Sequence, residues 1–569
     1  MKKTRKIAIL GGGPSGLFIY KRLIESPIKN LEIQIFERKG KLGAGMPYSN
    51  AGANTEHITN VSDNEIPVIY NSIEDWVKAA PKDLLDQFNI NAENFNEYKV
   101  LPRLFFGEYL SAQFNLLIKE GEKKGVITQV HYNSVVTDVA DLKSDKKVKI
   151  SIQGAEDLVF DEVIICIGHN WPKKYEGKIP DYFDSPYPPQ KLARSVNHTV
   201  ALRGSSLTAV DAIRTLARNN GVFNQNDDGT YSYLLDKESS NFKIIMHSRN
   251  GLLPAIRFHL ADSHLGKDTT LSKAQIHKHR AENGGFATLD YIFEENFKAQ
   301  FKTKEPKFYK RIKDLSLEEF VNTMMEYREE VPAFDLFKKE YLEAEKSIEK
   351  KQSIYWKEVL AVLSFAMNYP AKYLSAEDMQ RLQKVLMPLI SVVIAFVPQS
   401  SCRDLMALHD AGILDIVSVG EDSIVEPDPG GGATYQYQDS DGKDATRHFK
   451  TFVDCVGQPH LSFDDFPFKS LVENETICPA KLKFSDASQG KAELEMKNKL
   501  VTKNSNEEYF LQVPGITIND FFQVVDKNGE ANDRIYMMAV PYIGGYNPDY
   551  SGIDFSEAAS EQILKALQA

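Results

Sequence analysis

Lys6-Ile7-Ala8-Ile9-Leu10-Gly11-Gly12-Gly13-Pro14-Ser15-Gly16-Leu17-Phe18-Ile19-Tyr20-Lys21-Arg22-Leu23-Ile24 decides the fold. The aliphatic, β-branched run reads as a buried strand, the glycines as a turn, and Leu17 to Ile24 as a helix. Leu31-Glu32-Ile33-Gln34-Ile35-Phe36 is a second strand, with Glu37 at its tip. Strand, glycine turn, helix, strand and acid in this order make the dinucleotide-binding fingerprint in the context it requires. Gly11 permits the tight turn. Gly13 lets the backbone approach a pyrophosphate whose charge meets the helix N-terminus, and Gly16 lets the helix pack close to the strand. Glu37 can accept hydrogen bonds from a ribose diol, so an adenine dinucleotide is expected here; a purely structural glycine turn is the alternative.

A second unit of the same kind begins at Thr199-Val200-Ala201-Leu202-Arg203. Its turn is Gly204-Ser205-Ser206-Leu207-Thr208-Ala209, a degenerate form in which Ser206 and Ala209 replace the second and third glycines. Val210 to Asn219 reads as the helix and Asn241 to Met246 as the next strand, with a polar excursion from Asn219 to Ser240 between them. Where the first unit has an acid, this one has Ser248 and Arg249. A hydroxyl and a guanidinium suit a 2′-phosphate that an acid would repel, which points to NADPH rather than NADH. A plain surface position for Arg249 stays open.

A chain of 569 residues is too long for one core, so two or three domains are expected. Apolar content of 42% and charged content of 26% are those of a soluble globular protein. The net charge of −11, with no long basic block, argues against nucleic acid as a partner. The apolar stretch behind Met1-Lys2-Lys3-Thr4-Arg5 is the glycine-turn strand, too short and glycine-rich for a signal peptide. Val385 to Val397 is shorter than a membrane span and contains Pro388, so it is expected as a buried helix and no membrane partner is expected. Cys166, Cys402, Cys455 and Cys478 form no CxxC pair and lack metal-ligand spacing, which fits reduced buried thiols in a cytoplasmic protein. His277-Lys278-His279 reads as a solvated loop, and no metal is expected.

Polar glycine-rich loops, Gly43-Ala44-Gly45-Met46-Pro47-Tyr48-Ser49 and Glu56-His57-Ile58-Thr59-Asn60-Val61, follow the second strand. They belong at the carboxyl ends of the strands, where ligands bind in such sheets. Leu101 to Leu110 leads into an amphipathic helix reaching about Gly121. Val163 to His169 and Thr451 to Gly457 are apolar strands ending in glycine, as parallel strands buried on both faces do. Leu315 to about Ala411 breaks the alternation and reads as an inserted helical subdomain, opened by the capping box Ser316-Leu317-Glu318-Glu319. Ile535 to Val540 is a last buried strand before a glycine-rich stretch and a closing helix, Phe555 to Leu567. The expected fold is α/β: two Rossmann-like domains with a helical insert. The first domain takes residues 1–171 and 461–569, the second 172–264 and 412–460, and the insert 265–411.

This set of motifs resembles the FAD/NAD(P)-binding proteins related to class B flavin monooxygenases and amino-acid N-hydroxylases. They are the Gly11–Gly16 turn, the Gly43–Ser49 loop, Arg103 to Leu110, the Arg203–Ala209 turn, Ser248 to Pro254 and the Gly552-Ile553-Asp554 ending. The resemblance implies FAD held by Gly11, Gly13, Pro14, Ser15, Gly16, Glu37, Arg38 and Arg103. It sets Gly45, Met46, Asn60 and Val61 beside the flavin ring, with Gly552, Ile553 and Asp554 aiming a helix N-terminus at the ring. NADPH falls to Gly204, Ser205, Ser206, Leu207, Thr208, Ser248 and Arg249. Phe183-Asp184-Ser185-Pro186-Tyr187-Pro188-Pro189 lacks the glycine and histidine of the FxGxxxHxxx(Y/W)P stretch, which argues against Baeyer–Villiger chemistry. The acid common after the last flavin strand is missing near Val540-Pro541.

The function so implied is an FAD- and NADPH-dependent oxidoreductase, foremost a monooxygenase using O2 to oxygenate a small polar metabolite such as an amino-acid amine. Arg103, Arg257 and Tyr48 are candidates for gripping its carboxylate. A reductase passing electrons to a small acceptor, and a flavin-bound scaffold, are the alternatives. No catalytic residue is assigned, and a homo-oligomer stays open.

Overall fold

The computed structural model describes residues 4–96, 99–169, 171–261, 270–439, 442–458, 461–549 and 552–569. The basic start Met1-Lys2-Lys3 and the pair Tyr550-Ser551 of the closing motif lie outside them. Two parallel sheets organise the chain. In the first, Arg5–Leu10 lies between Leu31–Phe36 and Glu162–Ile165, in register Ile9 with Ile35 and with Ile164. Ile127–His131 extends it on one side, and Ala531–Met537 with the antiparallel Gln523–Val525 on the other. In the second, Thr199–Arg203 lies between Lys243–Ser248 and Thr451–Asp454, flanked by Leu414–Ser418 and Tyr182–Phe183, all parallel. The central strands are fully buried over Ile7–Leu10 and Val200–Leu202, as strands covered by helices on both faces require.

Each sheet places a helix directly after its first strand. Pro14–Glu25 packs against the closing helix Gly552–Gln568, where Ser15 and Ser556 meet and Arg22 pairs with Glu557. Leu207–Arg218 is buried on all sides from Ala209 to Ala217, between the second sheet and its neighbours. The excursion after it is a β-hairpin, Gly221–Gln225 with Tyr231–Leu235. A three-stranded antiparallel layer, Ile424–Pro427, Ala433–Gln438 and Asp444–Phe449, covers the second domain and stacks Tyr435 on His247.

The helical middle region differs from expectation in three places. His277-Lys278-His279 is helical, within Lys273–Glu282; Ser272 caps that helix, His279 Nε2 meets Thr288 and its ring stacks on Tyr291. Gln399–Asp410, expected to close the insert, instead buries Cys402, Leu405 and Leu408 in the core of the second domain. Leu382–Leu386 is a π-helical turn ahead of Met387–Val393, which absorbs Pro388 at a helix start. Phe334, Phe337 and Ala344 of the helix Ala333–Lys350 also join the core of the second domain, and the other helices of the insert join the core of the first domain. Asp520 takes Lys372 at 2.8 Å and the Tyr373 hydroxyl at 2.8 Å, and Glu377 accepts the backbone N–H groups of Ser485 and Asp486. Among the described residues no helix is long and apolar enough to cross a membrane.

Candidate functional site

The glycines of the first turn each meet a steric demand. Gly11 sits at φ +111°, and a Cβ there would lie 2.5 Å from the Cys166 carbonyl oxygen. A Cβ on Gly16 would collide with the Gly11 carbonyl oxygen, and one on Gly13 would meet Gly45 at 3.3 Å. Gly13 is the N-cap of Pro14–Glu25 and offers no side-chain cap, and that helix has no acid in its first turn. Its first N–H groups and dipole are therefore free to receive an anion. Glu37, 7% exposed, accepts N–H from Gly12 and from Lys39, each at 2.8 Å. These bonds fix its carboxylate beside the turn with lone pairs to spare.

A cleft of about 330 Å³ opens here. Gly11, Gly13, Pro14, Ser15, Glu37 and Arg38 line it, together with Gly45, Met46, Tyr48 and Gly552 and with Phe555 and Ser556 of the closing helix. A cleft that takes in a helix N-terminus and a buried carboxylate fits a dinucleotide.

Several lining residues were not picked out from sequence. Val540 to Tyr542 form a short 3-10 turn where the ribityl-holding acid is missing, and Phe468 and Met538 add apolar wall. His169 lines the cleft and its Nδ1 meets Gln458 of the second domain. Burial lowers its pKa, so the imidazole is neutral. Burial also raises the pKa of the Tyr48 phenol, which packs edge-on to Phe106.

The second turn repeats the first. Gly204 sits at φ +104°, and a Cβ there would lie 2.8 Å from the Cys455 carbonyl oxygen, as Gly11 faces Cys166. Ser206 caps Leu207–Arg218 without a side-chain bond, and that first turn also lacks an acid. Gly11 N–H binds the Phe36 carbonyl and Gly204 N–H binds the His247 carbonyl. Ser248 therefore occupies the position that Glu37 holds in the first unit. Its Oγ is buried with no partner among the described residues. Arg249 is exposed and only 3.8 Å from Glu421. Ser205 Oγ donates to the Leu252 carbonyl.

Six expected ligand residues sit elsewhere, the two arginines because buried carboxylates hold them. Arg103 does not line the cleft. It reaches Asp211 of the second domain at 2.5 Å and donates to the Ile58 carbonyl. Arg257 is buried and spends its guanidinium on Glu65, Ser62 Oγ and the Asn60 carbonyl, so no fork remains for a substrate carboxylate. Asp554 lines a different cavity, on the opposite face of its helix. Asn60 and Val61 lie on the strand Ile58–Ser62 and are not among the cleft-lining residues; Ile553 is buried in the core.

Arg103 and Asp211 belong to a buried polar cluster between the two domains. The Tyr187 hydroxyl donates to Asp211 at 2.7 Å. His57 Nδ1 accepts the Asn54 N–H at 3.0 Å, so the proton sits on Nε2, which meets the Asp211 carbonyl and Thr215 Oγ1 at 3.1 Å. Burial pushes the Asp211 pKa up, but the Arg103 charge and the hydrogen bonds from Tyr187 and Arg103 outweigh it and hold the carboxyl below its usual range. Burial lowers His57 and keeps it neutral, only partly opposed by Asp211.

Comparison with known proteins agrees with the amino-terminal site. Residues 8–170 match the family model described as FAD-NAD(P)-binding, and residues 272–394 match the YdhS-like middle domain. The chain is 28% identical over 475 residues to the uncharacterized protein YdhS of Escherichia coli (strain K12), which spans 82% of this chain and 86% of that protein. Solved structures it is similar to include L-lysine 6-monooxygenase from Pseudomonas syringae, at 12% identity and TM-score 0.48, covering 100% of this chain and 99% of that one. Another is the ornithine N-hydroxylase KtzI of Kutzneria sp. 744, at 12% identity and TM-score 0.46, with the same coverage.

Proposed function

We propose that this chain, whose amino-terminal part is an FAD-NAD(P)-binding domain, is an FAD- and NADPH-dependent oxidoreductase. Within that class we read it as a monooxygenase that oxygenates a small polar metabolite, with the amine of an amino acid as the favoured target. The observation that carries the reading is the pair of uncapped turns. One is backed by the Glu37 carboxylate, the other by the Ser248 hydroxyl and Arg249 at the equivalent strand end. A carboxylate suits a free ribose diol; a hydroxyl and guanidinium suit a phosphorylated one.

Bound in the cleft, FAD would supply the electron transfer and oxygen chemistry. The chain's own groups bind and orient. Gly13 and the first helix N-terminus would receive the diphosphate, and Glu37 the ribose. Gly552 would set the N-terminus of the closing helix against the cleft. Phe468, Met538 and Val540 exclude water from it. Tyr48, kept protonated by burial, is a hydrogen-bond donor there.

The test is anaerobic mixing of the FAD-loaded chain with NADPH or NADH, followed by an oxygen pulse with L-ornithine or L-lysine present. The reading expects faster reduction by NADPH, and oxygen consumed in step with hydroxylated amine. Oxygen returned entirely as hydrogen peroxide with every amine tried would favour the reductase alternative. No oxidation of either nucleotide would end the oxidoreductase reading.

A further inference from the structure

Two loops that back the dinucleotide turns reach each other across the domains. In the first sheet the strand Glu162–Ile165 runs into Cys166-Ile167-Gly168-His169. In the second, Thr451–Asp454 runs into Cys455-Val456-Gly457-Gln458. The correspondence holds bond by bond. Cys166 N–H donates to the Leu10 carbonyl and Cys455 N–H to the Arg203 carbonyl, each at 2.8 Å. Each cysteine carbonyl then stands against the first glycine of a turn, Gly11 in one unit and Gly204 in the other. His169 and Gln458 are therefore equivalent residues of the two units. These two residues meet, through His169 Nδ1 and Gln458 Oε1.

Their place matters for the chemistry. His169 lines the dinucleotide cleft of the first domain. Gln458 follows Gly457, where a Cβ would lie 3.8 Å from Thr208 Oγ1, in the first turn of the helix Leu207–Arg218. Ligands of such sheets bind outside the carboxyl ends of the strands, and the pair joins one such end of each sheet. It therefore lies between the two dinucleotide sites. Hydride transfer needs its reacting atoms about 3–3.5 Å apart, and each cofactor is carried by a different domain. The contact is also held from behind. The Trp171 ring lies 5.6 Å from His169 and 5.1 Å from Tyr187, whose hydroxyl ends on Asp211 in the interdomain cluster. Burial keeps His169 neutral, so the pair is a directional hydrogen bond that weakens steeply off line.

We propose that His169 and Gln458 are positioning residues for hydride transfer: their bond sets the approach of the nicotinamide carried by the second domain to the flavin carried by the first. The inference rests on the NADPH-dependent reading above and names the residues that align its two cofactors. In the step they serve, the C4–H bond of the reduced nicotinamide breaks and its hydride, with both electrons, forms the N5–H bond of the flavin, leaving NADP+ and reduced flavin.

The test compares anaerobic flavin reduction by saturating NADPH with reduction by dithionite, a small reductant that needs no alignment of domains, in the FAD-loaded full chain. Gln458→Met keeps the side-chain length without the amide, and His169→Leu removes the ring nitrogen. Both are expected to slow reduction by NADPH about tenfold or more, while the dithionite rate and the Kd for NADP+ stay within about threefold of the parent. The long-wavelength charge-transfer absorbance of NADP+ beside reduced flavin, a signature of stacked rings, is expected to fade in both. His169→Asn returns an amide near the place of Nδ1 and is expected to recover most of the NADPH rate. Variants reduced by NADPH as fast as the parent, slowed equally with both reductants, or weakened in NADP+ binding enough to account for the loss would overturn the inference. Flavin lost from both variants would also overturn it, by making the pair part of the cofactor's hold. A parent chain reduced by dithionite but by neither nucleotide would overturn the oxidoreductase reading itself, and this inference with it.

Discussion

Asp211→Asn tests how the two dinucleotide domains are held together. The Asp211 side chain is 6% exposed and Arg103 16%, with Nη1 and Oδ2 2.5 Å apart and the Tyr187 hydroxyl on the same oxygen. The amide keeps the shape but removes the charge, which leaves a guanidinium buried without a counterion. Breaking a buried pair in this way costs about 3–5 kcal/mol, most of it the desolvation of the stranded charge. For a cooperative unit of about 150–250 residues, that is a fall in Tm of roughly 6–20 °C. Differential scanning calorimetry of the FAD-loaded chain reads it. Arg103→Met combined with Asp211→Asn removes the stranded charge, so the double variant is expected to be more stable than Asp211→Asn alone. A single-variant loss under about 1 kcal/mol, or costs that simply add in the double variant, would refute the reasoning.

Glu37→Gln offers one oxygen where two N–H groups need acceptors, so FAD binding measured by fluorescence titration is expected to weaken roughly ten- to hundredfold; unchanged affinity would remove Glu37 from the site. Ser248→Asp places an acid at the strand end equivalent to Glu37, and the NADPH-over-NADH ratio of kcat/KM is expected to fall about tenfold or more; a ratio that holds would count against the phosphate assignment. Gly16→Ala drives a Cβ into the Gly11 carbonyl, and a loss of about 1–3 kcal/mol in thermal stability is expected, with flavin lost alongside it. Asp549 is pushed up from 3.8 to about 7 by burial, with Asp554 adding to the rise and Ser364 opposing it. The folded chain therefore holds a proton that the unfolded chain releases near pH 4, and stability falls as pH rises from about 4 to 7. Asp549→Asn removes that loss, so its stability advantage over the parent chain should grow across this window, to about 4 kcal/mol; an advantage independent of pH would show that Asp549 does not titrate there.

Local pattern made much of this site readable. The first turn was visible because strand, glycines, helix and acid lie within one short stretch, and each glycine answers a contact in the same unit. The second turn was visible despite its serines, because Gly204 alone carries the positive φ and small residues suffice beside it. The pairing of Gly204 with His247 agrees with Ser248 standing where the first unit has Glu37, as the sequence placed it. What sequence could not supply were partners far apart in the chain. Arg103 and Arg257 looked available for a ligand, but Asp211 and Glu65 neutralise them from 108 and 192 residues away. His169 and Gln458 meet across 289 residues and carry no motif. The Gln399–Asp410 helix has the same amphipathic spacing as the insert before it, and only its packing assigns it to the second domain. Asp554 follows a glycine at a helix start, and the helical period turned it away from the cleft.

The most direct measurement of the central claim is the absorbance spectrum of the purified chain after incubation with excess FAD and removal of free flavin. The account predicts a yellow protein carrying stoichiometric flavin, with most of it lost from Glu37→Gln under the same treatment. A colourless chain, or one whose flavin content is indifferent to Glu37, would contradict it.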